Sequence, residues 1–239
     1  IISTTKGNIN LLEEQNFGDF SESRLLLPEM ANVIANYFEM KNKPLVISNA
    51  CISGVLAIIT AQRLIRSGQF ENVIVSGGDL VSEFTLSGFN SFKSLSDDPC
   101  KPYDISRKGI TLGEGCGTLL LTSNEKFVGQ SEKKIKVTGG SVSNDANHIS
   151  GPSRTGEELA LTVNKALSEA GVDKNIDFIS AHGTATAFND EMEAKAFSVA
   201  GLKNVPINSL KGFFGHTLGA AGVIEAVATL ESMKQNMLL

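Results

Sequence analysis

The apolar residues of this chain change their spacing repeatedly, and that alternation constrains the fold more than any other feature of the sequence. Short apolar runs, "PLVIS" at 44–48, "NVIVSGG" at 72–78 and "IDFISAHG" at 176–183, each stop at a polar or glycine-rich turn. Between them lie longer stretches with apolar residues three and four apart. "PEMANVIANYFEM" at 28–40 carries Met30, Val33, Ile34 and Phe38 at helical spacing, with Pro28 suited to a first turn. A second helix is expected after Cys51, through Val55, Ile59, Leu64 and Ile65, ending at Gly68. Strand and helix in alternation predict α/β layers with mostly parallel strands.

The second part of the chain repeats the rhythm. "KIKVTGGSVSND" at 134–145 reads as a strand, and Thr155 with Glu158 supplies a capping box for a helix reaching about Ala170, where Gly171 stops it. Leu159, Val163, Ala166 and Leu167 would line its inner side. Asp190 with Glu193 is read as the cap of another helix, "VPINS" as a further strand, and a last helix is expected from about Gly219 to Gln235. Residues 79–109, with Asp97, Asp98, Pro99, Pro102 and Asp104, read as a loop-rich excursion. "GEGCGTLLLTS" at 113–123 returns to strand character, "NVIVSGG" is expected to close in a glycine turn, and 124–134 carries no assignable pattern. The opening "IISTTKGNI" reads as a strand already in progress, so the sequence is expected to be a piece of a longer chain.

Charge narrows the function. The 239 residues include 21 basic and 26 acidic side chains, a formal charge of -5, and neither sign gathers into a long block. The best basic cluster, Lys133, Lys134 and Lys136, fits a solvated turn and strand edge. Nucleic acid and anionic membrane surfaces are therefore poor partners for this chain. No apolar run approaches the roughly 20 residues that cross a bilayer, and no signal peptide is visible. Cys51, Cys100 and Cys116 form neither a disulfide framework nor a CxxC metal pattern, which points to a reducing, cytoplasmic setting.

Polar groups just beyond predicted strands stand out: Cys51 after "LVISNA", His182 after "IDFISA", and Lys211 with His216 after "VPINS". Open α/β sheets collect active-site groups beyond their strand ends. A helix beginning at or just after Cys51 would offer unpaired amides that favour a thiolate, a good nucleophile and leaving group; an inert packed thiol is the competing reading. Packing is the better reading for Cys116, and Cys100 sits in a polar loop with no expected chemical role.

His182 and His216 would donate to a carbonyl oxygen when neutral and would suit a reaction that develops enolate charge. A turn-stabilising hydrogen bond is the alternative for His182. Gly212, Gly215, Gly219 and Gly222 around His216 allow close backbone approach or special dihedrals. Lys211 is either a fixed charge for that site or half of a structural pair with Glu225 in the following helix. His148, in the polar "NDANHIS", is expected to be exposed. Phe84, Leu86 and Phe89 read as either the lining of an apolar channel or core, and Ala50 and Ile52 flank the thiol.

"NACISG", "AHGTATAFNDEMEA" and "SLKGFFGHTLGAAGVIEA", in that order, resemble the nucleophile and two histidine motifs of beta-ketoacyl-acyl carrier protein synthases, and "PYDISRKGITLGEGCG" resembles the middle of that family. The resemblance implies a thiolase-like layered α-β-α-β-α fold with duplicated halves, incomplete in this chain: 1–124 would carry the nucleophile and 125–239 the two histidines. It also implies a homodimer, with the strand before Cys51 near the dimer contact. Cys51 maps to the acyl-accepting nucleophile, His182 and His216 to the catalytic histidines, Lys211 to the family lysine and Glu225 to the carboxylate that organises it.

The implied reaction is decarboxylative condensation of acyl-cysteine with malonyl carrier protein. It needs no separate cofactor or metal, because both substrates ride on the phosphopantetheine arm of acyl carrier protein. Relative to the family the chain stops before the glycine-rich loop with the second oxyanion donor and lacks the opening strand and helices. A non-catalytic partner subunit that sets chain length, or an inactive fragment, is the competing class. The cysteine argues against it.

Overall fold

The computed structural model describes residues 1–13, 20–128, 133–147 and 151–238. The elements in chain order are β1 (Ile2–Ser3), α1 (Leu27–Tyr37), β2 (Val46–Ile47), α2 (Ser53–Arg66), β3 (Asn72–Asp79), α3 (Glu83–Ser91), β4 (Gly115–Thr122) and α4 (Glu125–Val128), then α5 (Glu157–Ala170), β5 (Ile179–Ser180), α6 (Ala187–Val199), β6 (Ile207–Asn208), α7 (Lys211–Phe214) and α8 (Ala221–Gln235). They fall into two compact units, one made of Ile1–Phe89, Leu112–Lys134 and Thr217–Glu231, the other of Asn90–Thr111, Ile135–His216 and Ser232–Leu239.

The first unit is built on a sheet of order β2-β1-β3-β4, in which β1 pairs parallel with both β2 and β3 and β4 closes the edge antiparallel to β3. Val73 and Val75 on β3 turn inward onto Ala57 and Ala61 of α2 and Val223 of α8. Each such buried valine contributes about 1.5 to 3 kcal/mol relative to exposure. The small residues serve contact as much as burial. A Cβ on Gly222 would stand 2.5 Å from the Val55 nitrogen, so the start of α8 reaches the backbone of α2 only because that position has no side chain. Asp79, buried at the end of β3, accepts hydrogen bonds from the Thr4 hydroxyl (2.6 Å), the Thr5 amide (2.8 Å) and hydroxyl (3.0 Å), the Lys6 amide (3.4 Å) and the Gly219 amide (2.7 Å). One carboxylate therefore joins the chain's opening turn to the segment just before α8.

In the second unit β5 and β6 pair in parallel. Ala160, Ala181, Ala196, Phe197, Ala200 and Leu202 form its core, and Leu159, Val163 and Leu167 of α5 pack against it as expected. Gly171 caps α5 in the left-handed region, and Gly68 takes the same conformation just after α2.

Several expectations are corrected. The segment 134–145 is not a strand: Ser143 donates to the Glu158 carbonyl (3.2 Å) and the Gly140 amide to Glu169 (3.4 Å), so the segment lies along α5 instead of joining a ladder. The glycines of "NVIVSGG" sit inside β3, where a Cβ on Gly77 would meet the Ser3 hydroxyl at 2.6 Å. Helix α3 interrupts the predicted loop at 79–109, and α4 occupies part of the stretch left unassigned. Neither capping box forms. Gly156, with no side chain to bond, caps α5, and Thr186, with no side-chain bond to the helix, caps α6, which leaves Asp190 and Glu193 inside α6.

On α1 the buried positions are Ala31 and Ala35, while Val33 and, just past the helix, Phe38 are exposed. Phe84 and Leu86 are exposed too, so core packing does not describe them; the Lys6 ammonium lies 5.1 Å over the Phe84 ring. His148 lies outside the described residues.

Candidate active site

The strand β2 ends four residues before Cys51, and the chain turns sharply there because Ala50 adopts a left-handed φ of +47°. The turn is closed by Ser53, fully buried, whose hydroxyl accepts from the Asn49 amide (2.7 Å) and donates to the Ala50 carbonyl (2.6 Å). Ile52 caps α2 and Cys51 stands immediately before it, half-buried. The thiol thus stands just before the first turn of a fourteen-residue helix, whose amides have no partner within the helix.

The second unit holds three of the predicted residues together. His182 follows β5 in a tight turn with Gly183 at φ +46° and Ala185 at +59°. This turn hangs on two carboxylates of α6. Glu193 accepts from the His182 amide through Oε1 (2.9 Å) and from the Gly183 amide through Oε2 (2.7 Å), while Asp190 accepts from the Ala185 amide (3.1 Å). Both carboxylates are almost wholly buried, at 3% and 2% exposure. On the other side the Ser209 hydroxyl reaches the His182 (3.2 Å) and Gly183 (2.9 Å) carbonyls.

His216 arrives from α7 through Gly215, whose φ of +68° with an extended ψ suits glycine, and its amide donates to the Thr111 carbonyl at 2.7 Å. The two imidazoles meet edge to face, their centroids 5.2 Å apart and their planes at 90°. Lys211 and His216 are each only 1% exposed.

Electrostatics fix the protonation of this pair. His182 keeps a partly exposed edge, yet protein atoms crowd its ring, and this desolvation, with the Lys211 charge and His216 nearby, holds its pKa well below the ordinary imidazole value. Burial first and the Lys211 charge second pull His216 down to about 3. Both rings are neutral near pH 7, so each offers one N–H and neither carries a cation's hydration cost.

Of the predicted residues, the structure brings His182, Lys211 and His216 into one cluster of the second unit. Cys51 and Glu225 belong to the first unit, Glu225 half-buried on α8. The expectation that Cys116 is packed is corrected, while Cys100 lies in a loop as expected. Cys116 is exposed on β4, 3.7 Å from the Ser76 hydroxyl, and Cys100 is buried with its thiol donating to the Lys211 carbonyl at 2.9 Å. Sequence reasoning missed Ser53, Asp190, Glu193 and Tyr103, whose hydroxyl donates to Glu193 at 2.9 Å. A signal existed for the carboxylates. Their spacing of three puts them on one face of a helix next to a histidine turn, but the same spacing also marks a helix cap.

Comparison with known proteins decides the family. Residues 6–126 match the description "Beta-ketoacyl synthase, N-terminal domain" and residues 135–239 match "Beta-ketoacyl synthase, C-terminal domain". The chain belongs to the beta-ketoacyl synthase family.

Its fold is the mixed α/β, open-sheet, thiolase-like fold of that family. The structure matches a ketosynthase (ApeO) in complex with its chain length factor (ApeC) from Xenorhabdus doucetiae at 32% identity and a TM-score of 0.88, over 100% of this chain and 61% of that one. A beta-ketoacyl synthase from Burkholderia phymatum STM815 matches at 27% identity and a TM-score of 0.86, over 98% and 62%. In sequence, a 3-oxoacyl-(acyl-carrier-protein) synthase 2 from Vibrio cholerae is 35% identical over 211 residues, which is 83% of this chain and 51% of that protein. The chain therefore spans about half the length of such beta-ketoacyl synthase relatives. Among the described residues no helix is long and apolar enough to cross a membrane.

Proposed function

We propose that the protein acts as a beta-ketoacyl-acyl carrier protein synthase, an acyltransferase that joins a cysteine-bound acyl group to malonyl-acyl carrier protein with loss of carbon dioxide. The observation that carries this reading is the neutral, perpendicular histidine pair beside a buried lysine. Two neutral N–H donors fixed in a desolvated setting match the charge that appears on a thioester oxygen when a neighbouring carboxylate leaves as carbon dioxide. A general acid with an ordinary imidazole pKa would not need such burial.

In the first half-reaction the Cys51 thiolate attacks the thioester carbon of an acyl group carried on phosphopantetheine. A C–S bond forms to Cys51, the original C–S bond breaks, and the carrier leaves as a thiol once protonated. In the second, malonyl carrier protein enters and its bond to the carboxylate breaks. The electron pair passes into the thioester enolate, whose oxygen takes hydrogen bonds from His182 and His216. The enolate carbon then attacks the acyl-cysteine, and the Cys51 thiolate departs. The product is a beta-ketoacyl carrier thioester.

Lys211 serves positioning and electrostatics in this scheme, its charge adding to the burial that chiefly holds both imidazoles neutral. Glu225 is assigned to organising Lys211. Loss of one enolate donor would cost about 3 to 4 kcal/mol at the transition state. Acyl carrier protein is the proposed macromolecular partner, a homodimer the proposed assembly and the cytoplasm the proposed setting. Residues 1–124 and 125–239 are the proposed nucleophile-bearing and histidine-bearing halves.

Intact-protein mass spectrometry after mixing with acyl carrier protein tests the nucleophile. The wild-type protein gains one acyl mass and Cys51→Ala gains none. An adduct of equal yield in Cys51→Ala would refute the assignment of the nucleophile, and no adduct in the wild-type protein would favour a non-catalytic partner subunit.

A further inference from the structure

The string "PYDISRKGITLGEGCG" has no role in the chemistry above, yet the segment 100–111 touches every piece of the second unit that bears a site residue. The Cys100 thiol donates to the Lys211 carbonyl (2.9 Å), and the Thr111 carbonyl accepts from the His216 amide (2.7 Å). Between them the Tyr103 amide donates to Asp190 (2.8 Å), the Tyr103 hydroxyl donates to Glu193 Oε2 (2.9 Å) and Arg107 Nη2 donates to the Ala187 carbonyl (3.2 Å).

The Tyr103 side chain bears on a histidine through Glu193. Glu193 Oε2 also takes the Gly183 amide and the Asn189 side-chain amide (2.8 Å), while Oε1 takes the His182 amide. The tyrosine ring walls the same turn: its Cε2 lies 3.0 Å from where a Cβ on Gly183 would stand. Tyr103 itself sits at φ +62°, a conformation bulky residues avoid and keep only where surrounding contacts outweigh its cost.

We propose that Tyr103 is a positioning residue for His182: its hydroxyl is the third donor that tightens the hold on Oε2 of the Glu193 carboxylate, which anchors the His182–Gly183 turn, and its ring backs that turn. The inference rests on the reading of His182 as an enolate donor. A carboxylate held by donors on both oxygens has one orientation open to it. With the phenol gone, Oε2 keeps the Gly183 and Asn189 donors but loses its third, so the carboxylate and the histidine turn bonded to it are held less tightly. Burial and the neighbouring Glu193 push the Tyr103 phenol pKa upward, so the hydroxyl remains a donor across the working pH range. Small displacements of a donor from a developing oxyanion are felt as rate and not as substrate affinity.

Tyr103→Phe removes the hydroxyl and keeps the ring. In the full protein, kcat for carbon dioxide release from malonyl carrier protein should fall about tenfold, the equivalent of one charge-assisted hydrogen bond, with KM and the rate of Cys51 acylation unchanged. The His182 imidazole resonance, assigned by its absence in His182→Gln, should move or broaden in Tyr103→Phe. That signal does not depend on condensation: if wild-type protein released no carbon dioxide, the proposed function would fail while a displaced resonance still supported the positioning role. A His182 resonance superimposable on wild type, or a loss of kcat matched by an equal loss of Cys51 acylation, would overturn the inference.

Discussion

The nucleophile turn and the histidine turn stand at the same structural address, just beyond a short parallel strand, and are held by opposite means. Ala50 bends the chain before Cys51, and a neutral hydroxyl from Ser53 closes the loop with one bond in and one bond out. The turn of His182 is instead clamped by two buried carboxylates through backbone amides, with Ser209 bonding its carbonyls. Amide bonds to a carboxylate are charge-assisted and roughly twice as strong as neutral ones. The difference follows the chemistry proposed for each group. A sulfur that forms a bond in one half-reaction and releases it in the other needs access and latitude, whereas a neutral donor stabilises an oxyanion only if it is already in place.

The comparison breaks most visibly at Glu193. Glu193→Ala leaves the His182 and Gly183 amides, the Tyr103 hydroxyl and the Asn189 side chain without their acceptor, a buried network whose loss should cost about 4 kcal/mol of stability by chemical denaturation. A loss no larger than that of an exposed substitution would show that the clamp is not a structural anchor.

Acid should weaken the histidine region next. The unfolded chain protonates His216 near its ordinary value of 6.5, while the native state resists until about 3. Between those values the unfolded state binds the extra proton, so stability falls as pH drops. From pH 7 to pH 5 this amounts to roughly 2 kcal/mol, and His216→Gln should remove that part of the slope. Equal slopes in the two proteins would contradict the buried, neutral assignment.

The nucleophile turn should show the smallest effect. Ser53→Ala is expected to cost about 1 to 2 kcal/mol, and a thermal unfolding midpoint unchanged from wild type would mean that the Ala50 turn is set by α2 packing alone.

The layer pattern was legible because buried strands and helices impose different spacings on apolar residues, and "NVIVSGG" and Thr155–Ala170 became β3 and α5 within a few residues. What failed was local polar chemistry. A carboxylate three residues after another can cap its own helix or reach to a neighbouring loop, and Asp190 and Glu193 do the latter because His182, Gly183 and Ala185 present amides to them. The segment 134–145 has strand composition, but its bonds run to α5. Cys51, His182, Lys211 and His216 could be singled out from residue type and from position beyond a strand. Tyr103 could not, since nothing in "KPYDIS" announces a partner ninety residues later.

The division of labour between sulfur and imidazoles is tested most directly by following both half-reactions in one protein. With acyl carrier protein and carboxyl-labelled malonyl carrier protein, His182→Ala and His216→Ala should still acquire the acyl group on Cys51, while release of labelled carbon dioxide falls on the order of a hundredfold or more. Release at the wild-type rate in both variants, with the acyl-cysteine equally intact, would contradict the enolate role of the pair.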